Sequence, residues 1–189
     1  MSMAMLQAGL DRSLGEGRAI VRSLGFGPEG VPAIPDAVDA MSRRGLDVSA
    51  HRSRQVTRER VDQADLILTS ERDHVVGIAA ESPDAARRAF TLPEFLVALA
   101  DDPSAGGRSL AAWATDLTAD RDPADYLGAA VDEIDDPTGS SRRRFEAATV
   151  AIEAMCDEVV DVLARSYGTS PDAQPVLPPP TVGDLRRAP

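Results

Sequence analysis

Residues 131–145, VDEIDDPTGSSRRRF, combine groups that could bind an anionic substrate and transfer a proton to it. Asp136 precedes Pro137 on a short turn, and the cations Arg142–Arg144 follow within one further turn. A carboxyl group that is partly removed from water can protonate a leaving oxygen. The pattern therefore makes Asp136 a candidate general acid, with the arginines attracting an anion to the face that carries it.

The same residues also have a purely structural interpretation. Asp136, Thr138 or Ser140 could cap a turn and the helix that follows it. Asp-Pro recurs at Asp102 and Asp122, so the pair has little specificity by itself. The arginines could equally form a solvated turn whose charge is balanced by the acids upstream.

A general acid of this kind usually serves a nucleophile, and the chain has one cysteine, Cys156. Reactive cysteines lie at helix N-termini or beside cations, which lower the thiol pKa. Cys156 instead lies within the apolar stripe of a predicted helix, next to Asp157, and both surroundings raise the pKa. We predict that Cys156 is a core residue. A lone cysteine also builds no internal disulfide and no cysteine-based metal cluster.

The two histidines, His51 and His74, lie far apart and lack metal-ligand partners at helical spacing. Neither G-x-x-x-x-G-K-[ST] nor G-x-G-x-x-G occurs. We therefore expect no metal ion and no cofactor.

The charge balance bears on partners and location. Acids outnumber bases by 31 to 20, for a net charge of −11. A surface of this sign repels phosphate backbones and anionic lipids, which argues against nucleic acid and membrane partners. No apolar run approaches the roughly 18 residues of a membrane span, and no signal peptide is recognisable at residue 1. We expect a cytoplasmic protein.

Strand patterns alternate with helix patterns along the chain, which predicts an α/β domain with a parallel sheet. Strands are expected at 19–26, 65–70 and 87–92. Helices are expected at 2–14, 35–44, 57–64, 71–82 and 92–100, with a long amphipathic helix from Phe145. Residues 101–130 read as a partly helical excursion. The Pro-rich residues 168–189 are expected to form a disordered tail.

Three blocks together resemble the bacterial low-molecular-weight protein tyrosine phosphatases. They are residues 45–75, which contain GLDVSAHRSRQ and ADLILT, residues 87–96, RRAFTLPEFL, and residues 134–148, IDDPTGSSRRRFEAA. The similarity is collinear over about residues 3–165, and it makes 1–167 one phosphatase-like domain.

The resemblance implies a three-layer, flavodoxin-like fold with a four-stranded parallel sheet in the order 2-1-3-4. In that family a C-x-x-x-x-x-R loop follows the first strand, its cysteine attacks phosphorus, and its arginine and backbone amides hold the phosphoryl group. An Asp-Pro pair supplies the general acid, and Asp136-Pro137 matches it. Thr138 stands where many members have an aromatic residue, which leaves the substrate preference open.

The 189 residues contain no C-x-x-x-x-x-R loop and no counterpart of the first, interior strand. We therefore expect the chain as written to be inactive, with 19–26 and 65–70 lacking a shared neighbour. A start codon assigned too late, a degenerate relative, and a partner that supplies the strand would each account for this.

The alternative function is non-catalytic binding. Arsenate reductase, which shares the fold, is disfavoured by the lone cysteine. The oligomeric state stays open.

Overall fold

The structure is a computed structural model that describes residues 1–121, 126 and 132–168. Helices are the main elements of this part of the chain, and two short strands lie between them. In chain order the elements are α1 (Ser2–Leu14), α2 (Pro35–Ser42), α3 (Arg58–Asp62), β1 (Ile67–Thr69), α4 (Arg72–Glu81), α5 (Pro83–Ala86), β2 (Ala89–Thr91), α6 (Leu92–Asp101), α7 (Leu110–Asp116) and α8 (Arg142–Tyr167).

The sheet is parallel, as the alternating pattern predicts. β1 pairs with β2 in a register that places Ile67 opposite Ala89 and Thr69 opposite Thr91. Successive residues of a strand point to opposite faces. Ala89 accordingly belongs to a smaller apolar cluster with α3, α4 and α5, whereas Phe90 belongs to the main core with α1, α6 and α8. Helices therefore cover both faces of the sheet, which confirms the three-layer α/β architecture.

Helix α8 is the longest element, and its apolar stripe forms one wall of the main core. The side chains at Phe145, Ile152, Cys156 and Val159 are all buried, at the spacing that the sequence predicts. The helix starts earlier than expected because Ser141 is its N-cap and accepts a hydrogen bond from the N–H of Arg144. This cap differs from the three candidates proposed from sequence.

The prediction of a strand at 19–26 is wrong, because this segment forms no regular strand. Gly25 forms a single parallel bridge with Gln55, and the rest of the segment pairs with no described strand. The side-chain amide of Gln7 takes over part of the pairing, since it donates to the carbonyl of Ala19 at 3.0 Å and accepts from the N–H of Val21 at 2.8 Å. A strand forms only where a neighbour offers backbone groups in register, and periodicity alone does not show whether one is there.

Other differences are smaller. The expected strands at 65–70 and 87–92 are shortened to three residues each. The short helix α5 was not expected; Pro83 opens it, and Ser82 caps it by accepting from the N–H of Ala85. The excursion at 101–130 contains α7, and the remainder of it lies partly outside the described residues. The tail expected at 168–189 also lies outside them, apart from Gly168.

Gly9 makes the closest packing between α1 and α8 and gives a test of the fold. A Cβ at this position would lie 2.7 Å from Cγ2 of Val160, a β-branched side chain with little rotamer freedom. Overpacking of this kind costs about 1–3 kcal/mol and outweighs a gain of about 1 kcal/mol in helix propensity. We expect Gly9→Ala to lower the free energy of unfolding by about 1 kcal/mol, measured by urea denaturation.

The matched control is the same substitution with Val160→Ala, which removes the opposing methyl groups. In that background we expect Gly9→Ala to be neutral or stabilising. Equal destabilisation in both backgrounds would mean that α1 and α8 do not meet at this pair.

Candidate active site

The loop that carries Asp136 is tied to the ends of both strands. The N–H of Ile134 donates to the carbonyl of Ser70, directly after β1, at 2.9 Å. The hydroxyl of Thr91, the last residue of β2, donates to the carbonyl of Asp132 at 2.8 Å. The Ile134 side chain also packs against the main core. Residues 132–136, which we call the acid loop, therefore lie at the carboxyl edge of the parallel sheet, where α/β folds bind their ligands.

Thr91 is fully buried and connects the acid loop to α6. Its hydroxyl accepts from the N–H of Glu94, and the Glu94 carboxylate accepts in return from the N–H of Thr91, which completes a capping box. Arg121 forms an ion pair with Glu94 at 2.6 Å, and the Tyr126 hydroxyl donates to the same carboxylate at 3.1 Å. The loop is thus bound to a network of polar groups that all have hydrogen-bonding or ion-pair partners.

Glu133 fixes the loop to the neighbouring helix. Its carboxylate accepts from the N–H of Arg72, the first residue of α4, at 2.6 Å. The first N–H groups of a helix have no partner within the helix, and the helix dipole favours a negative charge beside them. Glu133 is therefore a helix-capping group that holds the acid loop against α4.

Asp136 itself is exposed and lies just beyond these anchors. Its Oδ1 accepts from the N–H of Thr138 at 2.9 Å, and Gly139 continues the turn with a φ of +75°. The structural interpretation of Asp136 as a turn residue thus describes a contact that is present. The second carboxylate oxygen forms no hydrogen bond with the described residues.

The cations Arg142–Arg144 form the first turn of α8, and all three are exposed. They follow the acid loop along the chain, as the sequence requires. Among the described residues they form no ion pair with Asp136. These arginines therefore do not hold Asp136 in position in this structure.

Cys156 lies in the core and not at the edge of the sheet. It is 1 % exposed, and burial together with the charge of Asp157 raises the pKa of its thiol to about 12. The nucleophile in a reaction of this kind is the thiolate, which is scarce at neutral pH when the pKa is so high. The structure agrees with the prediction that Cys156 is a packing residue.

The two histidines do not meet. The ring of His74, in α4, stacks on Phe26 with the centroids 5.4 Å apart. His51 lies in the loop after α2, where its backbone N–H donates to the carbonyl of Val48. In the described ranges, no three His, Cys, Asp or Glu side chains are grouped closely enough to hold a metal ion.

The comparisons with known proteins agree with this architecture. The family model described as low molecular weight phosphotyrosine protein phosphatase matches residues 1–117, more than half of the chain. The chain belongs to this family. A curated relative from Ralstonia solanacearum, the probable low molecular weight protein-tyrosine-phosphatase EpsP, is 39% identical over 84 residues, which are 44% of this chain and 58% of that protein. The EpsP of Ralstonia nicotianae is 38% identical over 91 residues, 48% of this chain and 61% of its own.

The chain spans about three fifths of the length of these curated relatives. Solved structures extend the similarity to more of the fold. A mutant of YwlE from Bacillus subtilis superposes with a TM-score of 0.63 at 20% identity, covering 86% of this chain and 87% of that one. The low molecular weight protein tyrosine phosphatase of T. tengcongensis gives 0.60 at 21% identity, covering 85% and 87%. At these identities the likeness shows the fold alone. None of the helices in the described part of the chain has the length and apolar character that spanning a membrane requires.

Sequence reasoning singled out Asp136 but missed the residues that place its loop. Thr91, Ser70 and Glu133 supply the anchoring contacts. One signal was present: Thr91 and Glu94 have the spacing of a capping box directly after a strand. The backbone contact to Ser70 depends on chain geometry and leaves no trace in residue type.

The buried thiol gives a first prediction for this region. We expect Cys156 of the native protein to react with iodoacetamide at pH 8 at least a hundredfold more slowly than in 6 M guanidinium chloride, because burial suppresses both access and the thiolate form. Mass spectrometry of the alkylated protein follows the reaction. Rapid alkylation of the folded protein would contradict the core placement.

The Thr91 hydroxyl gives a second. Thr91→Val keeps the shape but removes the hydrogen bond to the acid loop and the cap of α6, so we expect about 2 kcal/mol of destabilisation. Amide exchange at Ile134 should become faster as the loop loosens. Thr91→Ser, which keeps the hydroxyl, is the matched control and should leave that exchange rate near the wild-type value. Equal acceleration in both variants would show that the hydroxyl does not hold the loop.

Proposed function

We propose that this chain is the scaffold of a phosphotyrosine phosphatase and that Asp136 is its general acid. The observation that carries the proposal is the anchoring of the acid loop at the carboxyl edge, through Ile134 to the end of β1 and through Thr91 to the end of β2. A carboxyl group on a loop held at this edge supports the proposal, because parallel α/β sheets bind their ligands there.

In this reaction a cysteine thiolate attacks phosphorus, and the phenol oxygen leaves. Departure of a phenolate is aided when an acid donates a proton to that oxygen. The assignment of Asp136 is supported by the hydrogen bonds that tie its loop to the ends of both strands and by the exposure of its carboxylate. The proposed substrates are phosphotyrosine side chains of proteins in the cytoplasm, and no cofactor is needed.

We further propose that the 189 residues are inactive as they stand. Formation of a cysteinyl-phosphate requires a thiolate at the edge of the sheet and a loop of amides with an arginine around the phosphoryl group. The sequence has no C-x-x-x-x-x-R motif, and Cys156 is buried with a pKa raised to about 12. Asp136 alone would supply proton transfer to a reaction that has no nucleophile.

The direct test is hydrolysis of p-nitrophenyl phosphate by the purified chain. We expect a rate equal to that of buffer, in the wild type and equally in Asp136→Ala and Cys156→Ala. Turnover by the wild type would contradict the proposed inactivity. If that turnover disappeared in Asp136→Ala, the proposed acid role would nevertheless be supported.

A second candidate function is non-catalytic binding on the same scaffold. It is favoured by the contact between Asp136 and Thr138, because in this chain the carboxylate already serves as a turn acceptor. The two candidates share the expectation that vanadate and phosphate do not bind, since the sequence has no C-x-x-x-x-x-R motif to surround an anion.

Titration with vanadate, followed by 51V NMR, tests this shared expectation. We expect no line broadening at millimolar vanadate, with Arg72→Ala as a control for adventitious binding near the acid loop. Saturable binding at the acid loop would show that a phosphate site exists without the missing motif, and both candidates would then need revision.

A further inference from the structure

The outer face of α8 carries exposed apolar side chains between two charged ends. Val150 is 52% exposed, and three alanines on the same side of the helix are exposed as well, Ala147, Ala151 and Ala154. Residues three and four positions apart in a helix share one face. This face therefore lies on the side opposite Ile152, which is buried in the main core.

An exposed cation lies one turn before these apolar residues, and an exposed acid lies one turn after them. Arg143 precedes Ala147 by four positions, and Glu158 follows Ala154 by four. Neither charged side chain forms an ion pair with any described residue. The six residues that we call the outer stripe are Arg143, Ala147, Val150, Ala151, Ala154 and Glu158.

The stability of α8 by itself does not account for the cation in this pattern. Arg143 lies in the first turn of the helix, where the helix dipole disfavours a positive charge. The acids that follow in α8 are held on the side of α2, since Glu146 and Glu153 form ion pairs of 2.7 to 3.0 Å with Arg43 and Arg44. Arg143 is therefore left without an opposite charge among the described residues.

The outer stripe is its own complement when it is read in reverse. Reversal of a second copy matches three pairs, which are Arg143 with Glu158, Ala147 with Ala154, and Val150 with Ala151. Arg144 and Asp157, both exposed, match in the same register. A partner with charges of a single sign would complement only one end of the stripe, whereas a second copy complements both ends.

We propose that the outer stripe is an interface at which two copies of this chain pair their α8 helices in antiparallel orientation. The two-fold axis passes between Val150 and Ala151, so the contact is isologous and each matched pair occurs twice. Small side chains at the centre let the two helices approach to the spacing of about 8–10 Å that packed helices adopt. A shallow, open depression, lined in part by Arg143, Ala147 and Val150, gives the second helix room beside the first half of the stripe.

The size of the interface sets the strength of the association. The overlap from Arg143 to Glu158 is about 24 Å of helix, and interfaces at the small end of the range are transient. The net charge of −11 on each copy also opposes association. Salt at about 0.1 M screens charges that are more than about 10 Å apart, whereas the matched charges of the stripe lie in contact. We therefore expect a weak, reversible dimer.

The first test is sedimentation velocity of the full chain, which measures association and does not depend on Asp136 or on the proposed reaction. Between about 10 µM and about 1 mM protein, we expect the mass to rise from that of the monomer towards that of the dimer. Val150→Asp should weaken this association at least tenfold. Val97→Asp is the matched control, because Val97 is 63% exposed on α6 and the substitution changes the net charge equally. It should leave the association unchanged.

Charge reversal tests the antiparallel register. We expect Arg143→Glu and Glu158→Arg each to weaken the dimer at least tenfold, although they shift the net charge of the chain in opposite directions. An equimolar mixture of the two variants should associate as the wild type does, because both charge pairs are then restored across the interface. The variant with both substitutions should also recover the dimer. Thermal unfolding followed by circular dichroism checks that each variant is folded.

Three outcomes would overturn the proposal. The chain could remain monomeric over the whole concentration range, which would leave the outer stripe to solvent, to residues 169–189 or to a different protein. A dimer could form that neither charge reversal weakens, which would place the interface elsewhere. The two single variants could also fail to associate when mixed, which would contradict the antiparallel register.

Discussion

The parallel pairing of β1 with β2 is the constraint on which the proposed site depends. Because both strands run in the same direction, their carboxyl ends meet at one edge, and Ser70 and Thr91 come within reach of a single loop. The acid loop is distant from both strands in the sequence, yet it forms hydrogen bonds with the last residue of β2 and with the residue that follows β1. Without that pairing, Asp136 would be one more exposed aspartate among the many acids of this chain.

The polar network behind the loop explains why a short and exposed segment can hold a defined position. Thr91 is buried and uses its hydroxyl as both donor and acceptor, and Glu94 is satisfied by Arg121 and Tyr126. A buried polar network stabilises a unique geometry only when every member has partners, and these members do. The network acts on the backbone of the loop, so it positions the loop and leaves the Asp136 carboxylate exposed.

The sequence predicted the architecture well where one physical signal dominated. The apolar stripes of α1 and α8 and the alternation of strands with helices place nearly all the elements, because burial of an apolar face decides them. The prediction for 19–26 was wrong because a strand needs a partner, and the pattern Ala-Ile-Val shows only a preference for extended backbone. The anchors of the acid loop were missed for a related reason. A hydrogen bond between two backbone groups, such as Ile134 with Ser70, is a property of the fold and not of residue type.

The account joins a family membership to a proposed general acid, Asp136, on a loop at the carboxyl edge of the sheet. Its central physical claim is that the acid loop is bonded to the end of β1. A long-range HNCO experiment, which detects scalar coupling across a hydrogen bond, measures this directly in an isotope-labelled sample. The account predicts a cross-peak between the amide nitrogen of Ile134 and the carbonyl carbon of Ser70. Absence of that cross-peak, in a spectrum where the coupling between Ile67 and Arg88 is seen, would contradict it.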